Sequence, residues 1–544
     1  MDAEVKRWRD EALGLRRRVK VLERANGELV AANRDLRGRL ERLQGQVDGL
    51  TRQLQVLSEL AFGGRSEKLT KAGTAAGQAP AGQAGQQGVG RQRRRRGQQP
   101  GSRGHGRRDY SGLPTVEVIG QVDQAQRVCP RCGKAYAPHG QQTTELLDWQ
   151  VVACRMLVRR PRLRRVCSCP VAGMLVAPPP ERPIPKSRFT AQFVARLLTE
   201  KFVGGRPLSR IAMALSHDGL QVAQGTLVGV LDKTSGLLGP LEQQIWARNA
   251  TAAHLHADET GWKVFEQVAG KHSHRWWCWV FVAADTTVFR IQPSRSTAVL
   301  ADHLGIDLDA EALQPGRQLL VSSDFYRVYQ QVARLEGVQP LWCWAHLRRY
   351  FIRAANTHPE LAAWAAEWLE RIAALYGAHH AVAATAANTP ACSDALAAMD
   401  AALQAIDVAR HQQSADPQLP SPAAEVLATL ERQWDGLARH LNHPELPLDN
   451  NPAERALRGP VVGRKNYYGA GSITSARLAA QVWTITATTR QAGINPLAYL
   501  TAYLEACGTA GGRAPTGQAL ARFLPWQASS QDLAAWRNGD VPAP

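Results

Sequence analysis

A leucine recurs at every seventh position near the start of the chain. The repeat comprises Leu15, Leu22, Leu29, Leu36, Leu43, Leu50 and Leu57. These leucines occupy heptad position d. Position a holds Val, Leu, Ala or Asn, and the remaining faces are densely charged. Leucine at d with valine and asparagine at a favours a parallel two-stranded coiled coil. A helix packed on its own chain would not need so strict a heptad. Residues 1–69 are therefore predicted to form a leucine zipper that makes a homodimer or a higher oligomer.

Positive charge is concentrated in the same part of the chain. The net charge is +19 with a pI near 9.9, and residues 1–110 hold 24 basic against 12 acidic residues. Such an excess predicts a polyanionic partner, with nucleic acid as the leading candidate. The first residues lack the apolar core of a secretory signal, and no run is long enough to span a membrane. We therefore expect an intracellular, reducing compartment and no membrane partner.

A low-complexity segment follows the zipper. Residues 70–112 are rich in Gly, Gln, Ala and Arg and cannot bury enough apolar surface to fold, so they are predicted to be a disordered linker. Its centre is the run Arg93, Arg94, Arg95 and Arg96. Arginines of this kind neutralise phosphates without reading base sequence. A plain solubilising spacer is the alternative, but acidic residues are almost absent from the segment.

Two close pairs of cysteines lie within residues 113–180. They are Cys129, Cys132, Cys167 and Cys169, separated by strand-like sequence. A hairpin that joins the pairs would give four thiolates in a tetrahedral arrangement, which suits a structural Zn²⁺. The alternative is chance clustering of reduced cysteines. The second pair, C-x-C, is tighter than a usual zinc knuckle.

Residues 181–245 read as a small helical module. Three helical patterns alternate there with short turns after the proline-rich hinge "APPPERPIPKS". The arrangement is consistent with a DNA-binding module of the helix-turn-helix type. Compact helical packing without DNA contact explains it about equally well.

Beyond residue 250 the pattern becomes rich in strands that carry acids. "AAHLHADETGWKVF" predicts a strand that ends at Asp258, and "RQLLVSSDFYRVY" predicts a short strand with Asp324 at its carboxyl end. "RWWCWVFVAADTTVFRIQPS" predicts a hairpin, and "PLWCWAHLRRYF" a buried strand running into a helix. An alanine-rich helical block interrupts this region at about 350–445. The prediction is a mixed α/β sheet with its site at the strand ends.

A third acid, Glu454, precedes a dense basic run on a predicted helix. The basic side chains are Arg455, Arg458, Arg464 and Lys465. With Asp258 and Asp324, Glu454 would supply the hard oxygen ligands that suit two Mg²⁺ or Mn²⁺ ions, and the basic side chains would hold phosphates beside them. Asp449 is the rival third ligand, although a glutamate reaches further from a helix. Asn450 and Asn451 are placed to cap the helix or to bond the Glu454 carboxylate.

These blocks resemble the signature sequences of the insertion-sequence-66 (IS66) family of transposases. The resemblance is carried by "HADETGW", "SSDFYRVY", "CWAHLRRYF" and above all "LDNNPAERALRGPVVGRKNYYGAGS", with the zipper, the cysteine knuckle, "PIPKS", "GINPLAYL" and "FLPWQ" in matching order. Two departures are the C-x-C pair, where C-x-x-C is common, and "YYGAGS", which replaces an "LFAGS"-like ending and is expected to matter little.

The resemblance implies a ribonuclease-H-like catalytic core over residues 246–505, with the helical insertion inside it and a tail at 506–544. It implies an Asp-Asp-Glu triad at Asp258, Asp324 and Glu454 that cuts and joins DNA at the ends of an insertion sequence. Mg²⁺ or Mn²⁺ would serve catalysis and Zn²⁺ the fold. The expected location is the bacterial cytoplasm, associated with the nucleoid, and small accessory proteins are suggested as partners.

Two other functions are compatible with the residues alone. A DNA-binding regulator would use the zipper, the linker and the zinc knuckle above a catalytically inactive core. A structure-selective nuclease would hydrolyse DNA and never join it.

His256 and His346 are interpreted as core histidines rather than metal ligands, because each lies in a segment predicted to be an apolar strand.

Overall fold

The structure, a computed structural model, describes residues 178–271 and 273–538, together with short stretches at 14, 18, 20, 131, 134–135, 153–160, 162–164 and 174–176. The predicted zipper (apart from three isolated residues), the linker with Arg93, Arg94, Arg95 and Arg96, and the cysteines Cys129, Cys132, Cys167 and Cys169 lie outside the described residues. The described chain divides into two compact units. One unit contains Ser322–Gln330 and Gln339–Asn450, and the other contains the remaining described residues from position 76 onward.

Over the part of the chain that the structure describes, no helix is long and apolar enough to cross a bilayer. The described chain begins with a short antiparallel pair, β1 (Arg162–Arg164) and β2 (Met174–Val176).

Three helices come next: α1 (Ala191–Leu198), α2 (Leu208–His217) and α3 (Gln224–Ala250). A π-helical turn, Thr199–Val203, continues α1. The three predicted helical patterns are confirmed, and α3 runs past the predicted boundary at residue 245 to Ala250. Its buried side pairs with a later helix through a hydrogen bond of 2.9 Å from Ser235 to Gln481, so the module shares the core of its unit.

Three antiparallel strands follow: β3 (His254–Lys263), β4 (Arg275–Val282) and β5 (Thr287–Gln292). The predicted hairpin is confirmed, and the Ala283 amide closes it by donating to the Thr286 carbonyl at 2.8 Å. Helix α4 (Thr297–Leu304), β6 (Leu319–Ser323), α5 (Arg327–Val332) and β7 (Val338–Trp342) complete the sheet region. The strand order is β5-β4-β3-β6-β7, which is consistent with the ribonuclease-H-like core implied by the resemblance.

The prediction that Asp258 ends its strand is wrong. Asp258 pairs with Val280 in the middle of the β3–β4 ladder, and β3 continues to Lys263. The strand continues because Trp262, only 1% exposed, anchors its far half in the hydrophobic core. Asp324, by contrast, directly follows β6, as predicted.

The alanine-rich block is helical, as predicted. It consists of α6 (Trp344–Thr357), α7 (Ala362–Ala384), α8 (Pro390–Ser414) and α9 (Ser421–Ala438). Alanine is the strongest helix former, so these sequences favour helices before any packing is counted. The prediction that His346 lies in a strand is wrong, because α6 begins at Trp344 and places His346 in its first turn.

Five helices end the described chain: α10 (Asn451–Tyr467), α11 (Ile473–Gln491), α12 (Pro496–Thr509), α13 (Gln518–Ala521) and α14 (Ser530–Asn538). The predicted boundary at 505/506 falls inside α12. Phe523 and Trp536 of the segment beyond it are 1% and 4% exposed, and their rings stack at 5.5 Å. The segment after α12 is therefore part of the hydrophobic core of its unit.

Candidate active site

The two acids of the "HADETGW" block lie on opposite faces of β3. Side chains alternate along a strand, so Asp258 shares a face with Thr260 and Trp262, whereas Glu259 points to the other side. Asp258 is half-buried and its Oδ1 accepts the Glu259 amide at 2.8 Å. Glu259 is buried. Adjacent carboxylates therefore have different surroundings.

Helix α10 packs on the Asp258 face of β3. Arg464 donates through Nη1 to the Thr260 hydroxyl at 3.2 Å and to the Gly261 carbonyl. The Tyr467 ring lies edge-to-face with Trp262, with centroids 6.5 Å apart. Arg464 contacts Thr260, and the later residue Tyr467 contacts the later residue Trp262. The strand and the helix therefore run in the same direction.

Glu454 lies in the first turn of α10, so the prediction that it is on a helix is confirmed. Its side chain is half-buried. A carboxylate is stabilised at this end of a helix by the unpaired amides and the helix dipole. Both Glu454 and Asp258 precede the Arg464–Thr260 contact along their own elements, in the same unit.

Asp324 belongs to the other unit, where it follows β6. It is half-buried, and its Oδ1 accepts the Tyr326 amide at 2.9 Å, which orients the carboxylate in an Asx turn. Asp449, the rival ligand, and Asn450 belong to this same unit. Asn450 is 1% exposed and its backbone N–H donates to the Cys343 Sγ at 3.2 Å.

Among the described residues, no group of three or more His, Cys, Asp or Glu side chains is arranged to hold a metal ion. The donors at the predicted positions nevertheless suit a hard divalent cation, because Asp258, Asp324 and Glu454 are carboxylates that stay partly open to solvent. His256 is buried and stacks edge-to-face on His254 at 4.7 Å, in line with its interpretation as a core histidine.

The basic side chains after Glu454 have no acidic counterpart nearby in sequence. From Arg455 to Leu504 the chain contains no Asp or Glu. Arg455, Arg458 and Lys465 are exposed, whereas Arg464 is half-buried and bonded to β3. The exposed cations are therefore accessible to a polyanion. Arg464 also has a structural role, because it is hydrogen-bonded to β3.

A groove of about 490 Å³ opens beside the first turns of α10. Its lining includes the aromatic side chains of Phe202, Phe289 and Trp483 and two arginines, Arg455 and Arg490. Partial burial lowers the pKa of the Arg490 guanidinium, although the residue as a whole is exposed, and its Nε donates to the Thr486 carbonyl at 3.1 Å. Arg490 was not among the predicted site residues, although the long acid-free stretch that contains it is a usable signal.

Glu259 forms an ion pair that the sequence did not predict. Arg295 donates to Glu259 Oε1 from Nε at 2.7 Å and from Nη2 at 2.5 Å. Arg295 also lies over the Trp277 ring, 4.6 Å from its centroid. The partners are 36 residues apart in sequence, so no local pattern could have found the pair.

Comparison with known proteins gives a consistent result. A family model described as "Transposase IS66 family" matches residues 186–478, just over half of the chain. Curated relatives come from Sinorhizobium fredii (strain NBRC 101917 / NGR234). "Uncharacterized protein y4jD" is 24% identical over 76% of this chain and 80% of its own length. "Uncharacterized protein y4hP" is 23% identical over 70% of each. "Uncharacterized protein y4qI" is 24% identical over 68% of this chain and 73% of its own length.

Proposed function

The chain belongs to the IS66 family of transposases, and from this premise we propose that it binds the ends of an insertion sequence and cuts and joins DNA strands there. The observation that carries the proposal is the packing of α10 on the Asp258 face of β3, with Glu454 and Asp258 both upstream of the Arg464–Thr260 contact. The acid-free, basic sequence after Glu454 supports a DNA substrate.

In this proposal, Asp258, Asp324 and Glu454 hold two Mg²⁺ or Mn²⁺ ions. The ions held by these carboxylates would supply Lewis-acid chemistry for displacement at phosphorus. The carboxylates would position the cations, whose positive charge would compensate theirs. No side chain would form a covalent intermediate with DNA.

The cationic side chains would position the strands. Arg455, Arg458 and Lys465 are exposed and would bind backbone phosphates, which fixes the register of the DNA on α10. Arg464 shares its guanidinium with β3, and the remaining N–H groups of such a side chain suit a phosphate as well. Arg490 would extend this surface into the groove.

The amino-terminal region would supply assembly and further DNA contacts. The zipper would make the dimer, Arg93, Arg94, Arg95 and Arg96 would bind phosphates, and the four cysteines would hold one Zn²⁺. Metal analysis should show about one zinc per chain fewer in a Cys129→Ser/Cys132→Ser variant than in the wild type. Sedimentation should show that Leu29→Pro makes monomers. An unchanged zinc content or an unchanged mass would refute the corresponding assignment.

The central test is strand cleavage and strand transfer with purified protein, element-end DNA and Mg²⁺ or Mn²⁺. Asp258→Ala, Asp324→Ala and Glu454→Ala are each expected to abolish both reactions while end binding stays intact. Asp449→Ala is the matched control and should remain active. Activity in all three variants would show that the triad is misassigned.

The same assay separates the competing functions. Wild-type protein that binds DNA ends but never cuts them with either metal would be a regulator. Wild-type protein that cuts but never joins would be a hydrolysing nuclease. Joined products in the wild type alone support the transposase.

A further inference from the structure

We propose that the ring of Tyr468, at the end of the helix that carries Glu454, is a stacking platform for an unpaired DNA base. The inference rests on the proposed function, because DNA is the ligand in both. It goes beyond it by naming an aromatic contact that neither the triad nor the basic residues require.

The first observation is the contrast between two neighbouring tyrosines. Tyr467 is half-buried against Trp262 and lies under the Lys201 ammonium, 4.3 Å from its ring centroid. Tyr468 is 71% exposed, the largest exposure among the large apolar and aromatic side chains after residue 178 that the structure describes. Its ring is therefore not used to fill the core.

The second observation is the backbone of Tyr468. Its φ is 65°, in the left-handed region, and its amide closes the end of α10 by donating to the Arg464 carbonyl at 2.8 Å. Helices commonly end with such a residue, but it is usually glycine, because a side chain is costly there. Among the described residues, the other non-glycine positions with positive φ are Lys186 and Asn388. An aromatic residue occupies a backbone position that favours glycine, which points to a use for the ring outside the chain.

The third observation is that the turn after Tyr468 is held rigidly. The Ala470 amide donates to the Lys263 carbonyl and the Phe265 amide donates to the Ala470 carbonyl, each at 2.9 Å. Gly469 is needed for this approach, since a Cβ there would lie 2.3 Å from the Lys263 oxygen. The ring of Tyr468 is thus presented from a backbone fixed to the extension of β3.

The surroundings of the turn are apolar and basic. Phe265 and Ile473 are 43% and 40% exposed, and Lys263, Lys465 and Arg477 are exposed on the segments that adjoin the turn. Two acids lie close to these residues: Glu266, whose Oε2 accepts the Ile473 amide at 2.6 Å and so is engaged with the start of α11, and Glu242, which interacts electrostatically with Arg477.

Exposed aromatic rings beside lysine and arginine are the features by which proteins bind single-stranded nucleic acid without reading its sequence. Duplex DNA hides the faces of its bases except at its ends, so the ligand that fits is an unpaired base. A protein partner would need acidic residues of its own to complement Lys263, Lys465 and Arg477.

The experiment measures affinity for two labelled probes, a short oligothymidine and a blunt duplex, with the full-length chain. Tyr468→Gly is expected to weaken oligothymidine binding about tenfold, the equivalent of ~1.4 kcal/mol, and to leave duplex binding unchanged. Its melting temperature should equal or exceed that of the wild type, because glycine is favoured at this φ. Tyr468→Trp should keep the affinity, and Val462→Ala, an exposed apolar change on the same helix, should change neither probe.

Three outcomes would overturn the proposal: equal oligothymidine binding by Tyr468→Gly, an equal loss for both probes, or failure of Tyr468→Trp to retain binding. Measuring DNA cleavage by the wild type alongside oligothymidine binding keeps the two proposals distinguishable. If Tyr468 controls oligothymidine binding but wild type never cuts DNA, the stacking site stands and the transposase mechanism fails. If wild type cuts and joins but Tyr468→Gly binds normally, the reverse holds.

Discussion

The two faces of β3 place two neighbouring carboxylates, those of Asp258 and Glu259, in different surroundings. Asp258 faces α10, stays half-buried and has Arg464 and Tyr467 of that helix packed further along its face. Glu259 faces the other way, where its side chain is 1% exposed and paired with Arg295. Strand alternation alone puts the two carboxylates into these different surroundings.

The difference separates a half-buried carboxylate, Asp258, from a buried carboxylate, Glu259, that is paired with Arg295. A buried carboxylate must be paired, because removing its partner leaves an uncompensated charge. Glu259 has that pairing, so its contribution belongs to stability. Asp258 keeps solvent access on the face shared with α10, so its contribution belongs to the proposed chemistry.

The largest expected effect is on activity. Asp258→Asn should reduce strand cleavage by roughly a thousandfold, since in the proposed mechanism this carboxylate would hold a metal ion worth several kcal/mol in the transition state. Its melting temperature should stay close to that of the wild type. Cleavage kinetics under single-turnover conditions and a thermal melt measure both quantities.

Glu259→Ala should behave in the opposite way. Losing the pair with the partly solvated Arg295 is expected to lower the free energy of unfolding by about 2–3 kcal/mol, measured by urea denaturation. The cleavage rate per folded molecule should change little. If Glu259→Ala folded normally and stopped cleavage, the division of labour between the two faces would be reversed.

A smaller effect concerns buried charge on the α10 side of β3. Burial lowers the pKa of Lys201 from 10.5 to about 8, while its ammonium lies over the Tyr467 ring. Between these pH values the folded chain binds fewer protons at Lys201 than the unfolded chain does. The cost of burying the charge is therefore fully present below pH 8 and is relieved as the pH rises toward 10.5.

Lys201→Met removes this cost. The variant should be more stable than the wild type by about 1–2 kcal/mol near pH 7, and the difference should shrink as the pH rises from about 8 to 10. Urea denaturation of both proteins across this range measures it. A difference that does not depend on pH would mean that Lys201 is not buried as a charge.

Much of the sheet could be predicted from sequence because its strands are bounded by local patterns. The hairpin of β4 and β5, the position of Asp324 after β6 and the helix of Glu454 are set by apolar runs, turn residues and helix formers. The length of β3 could not be predicted in this way. Its second half is held by the burial of Trp262, a tertiary contact that strand-end signals do not encode.

The environment of each candidate residue was the harder part. Sequence grouped Arg464 with the exposed cations around it, because a helix period places neighbours without saying which one meets a strand. The bond from Arg464 to Thr260 joins residues 204 apart in the chain. The pair of Glu259 and Arg295 escaped prediction for the same reason, since both depend on how distant segments pack.

The smallest expected effect tests that distinction within the basic run. Arg464→Met should lower the free energy of unfolding by about 1 kcal/mol, because a half-exposed guanidinium loses its bonds to Thr260 and Gly261. Arg458→Met, at an exposed position of the same helix, should leave stability unchanged but weaken duplex binding and flatten its dependence on salt by about one released counterion. Urea denaturation and a salt titration of DNA affinity separate the two. Equal behaviour of the variants in both measurements would mean that the contact with β3 does not set Arg464 apart, and the contrast between the faces of β3 would then rest on the acids alone.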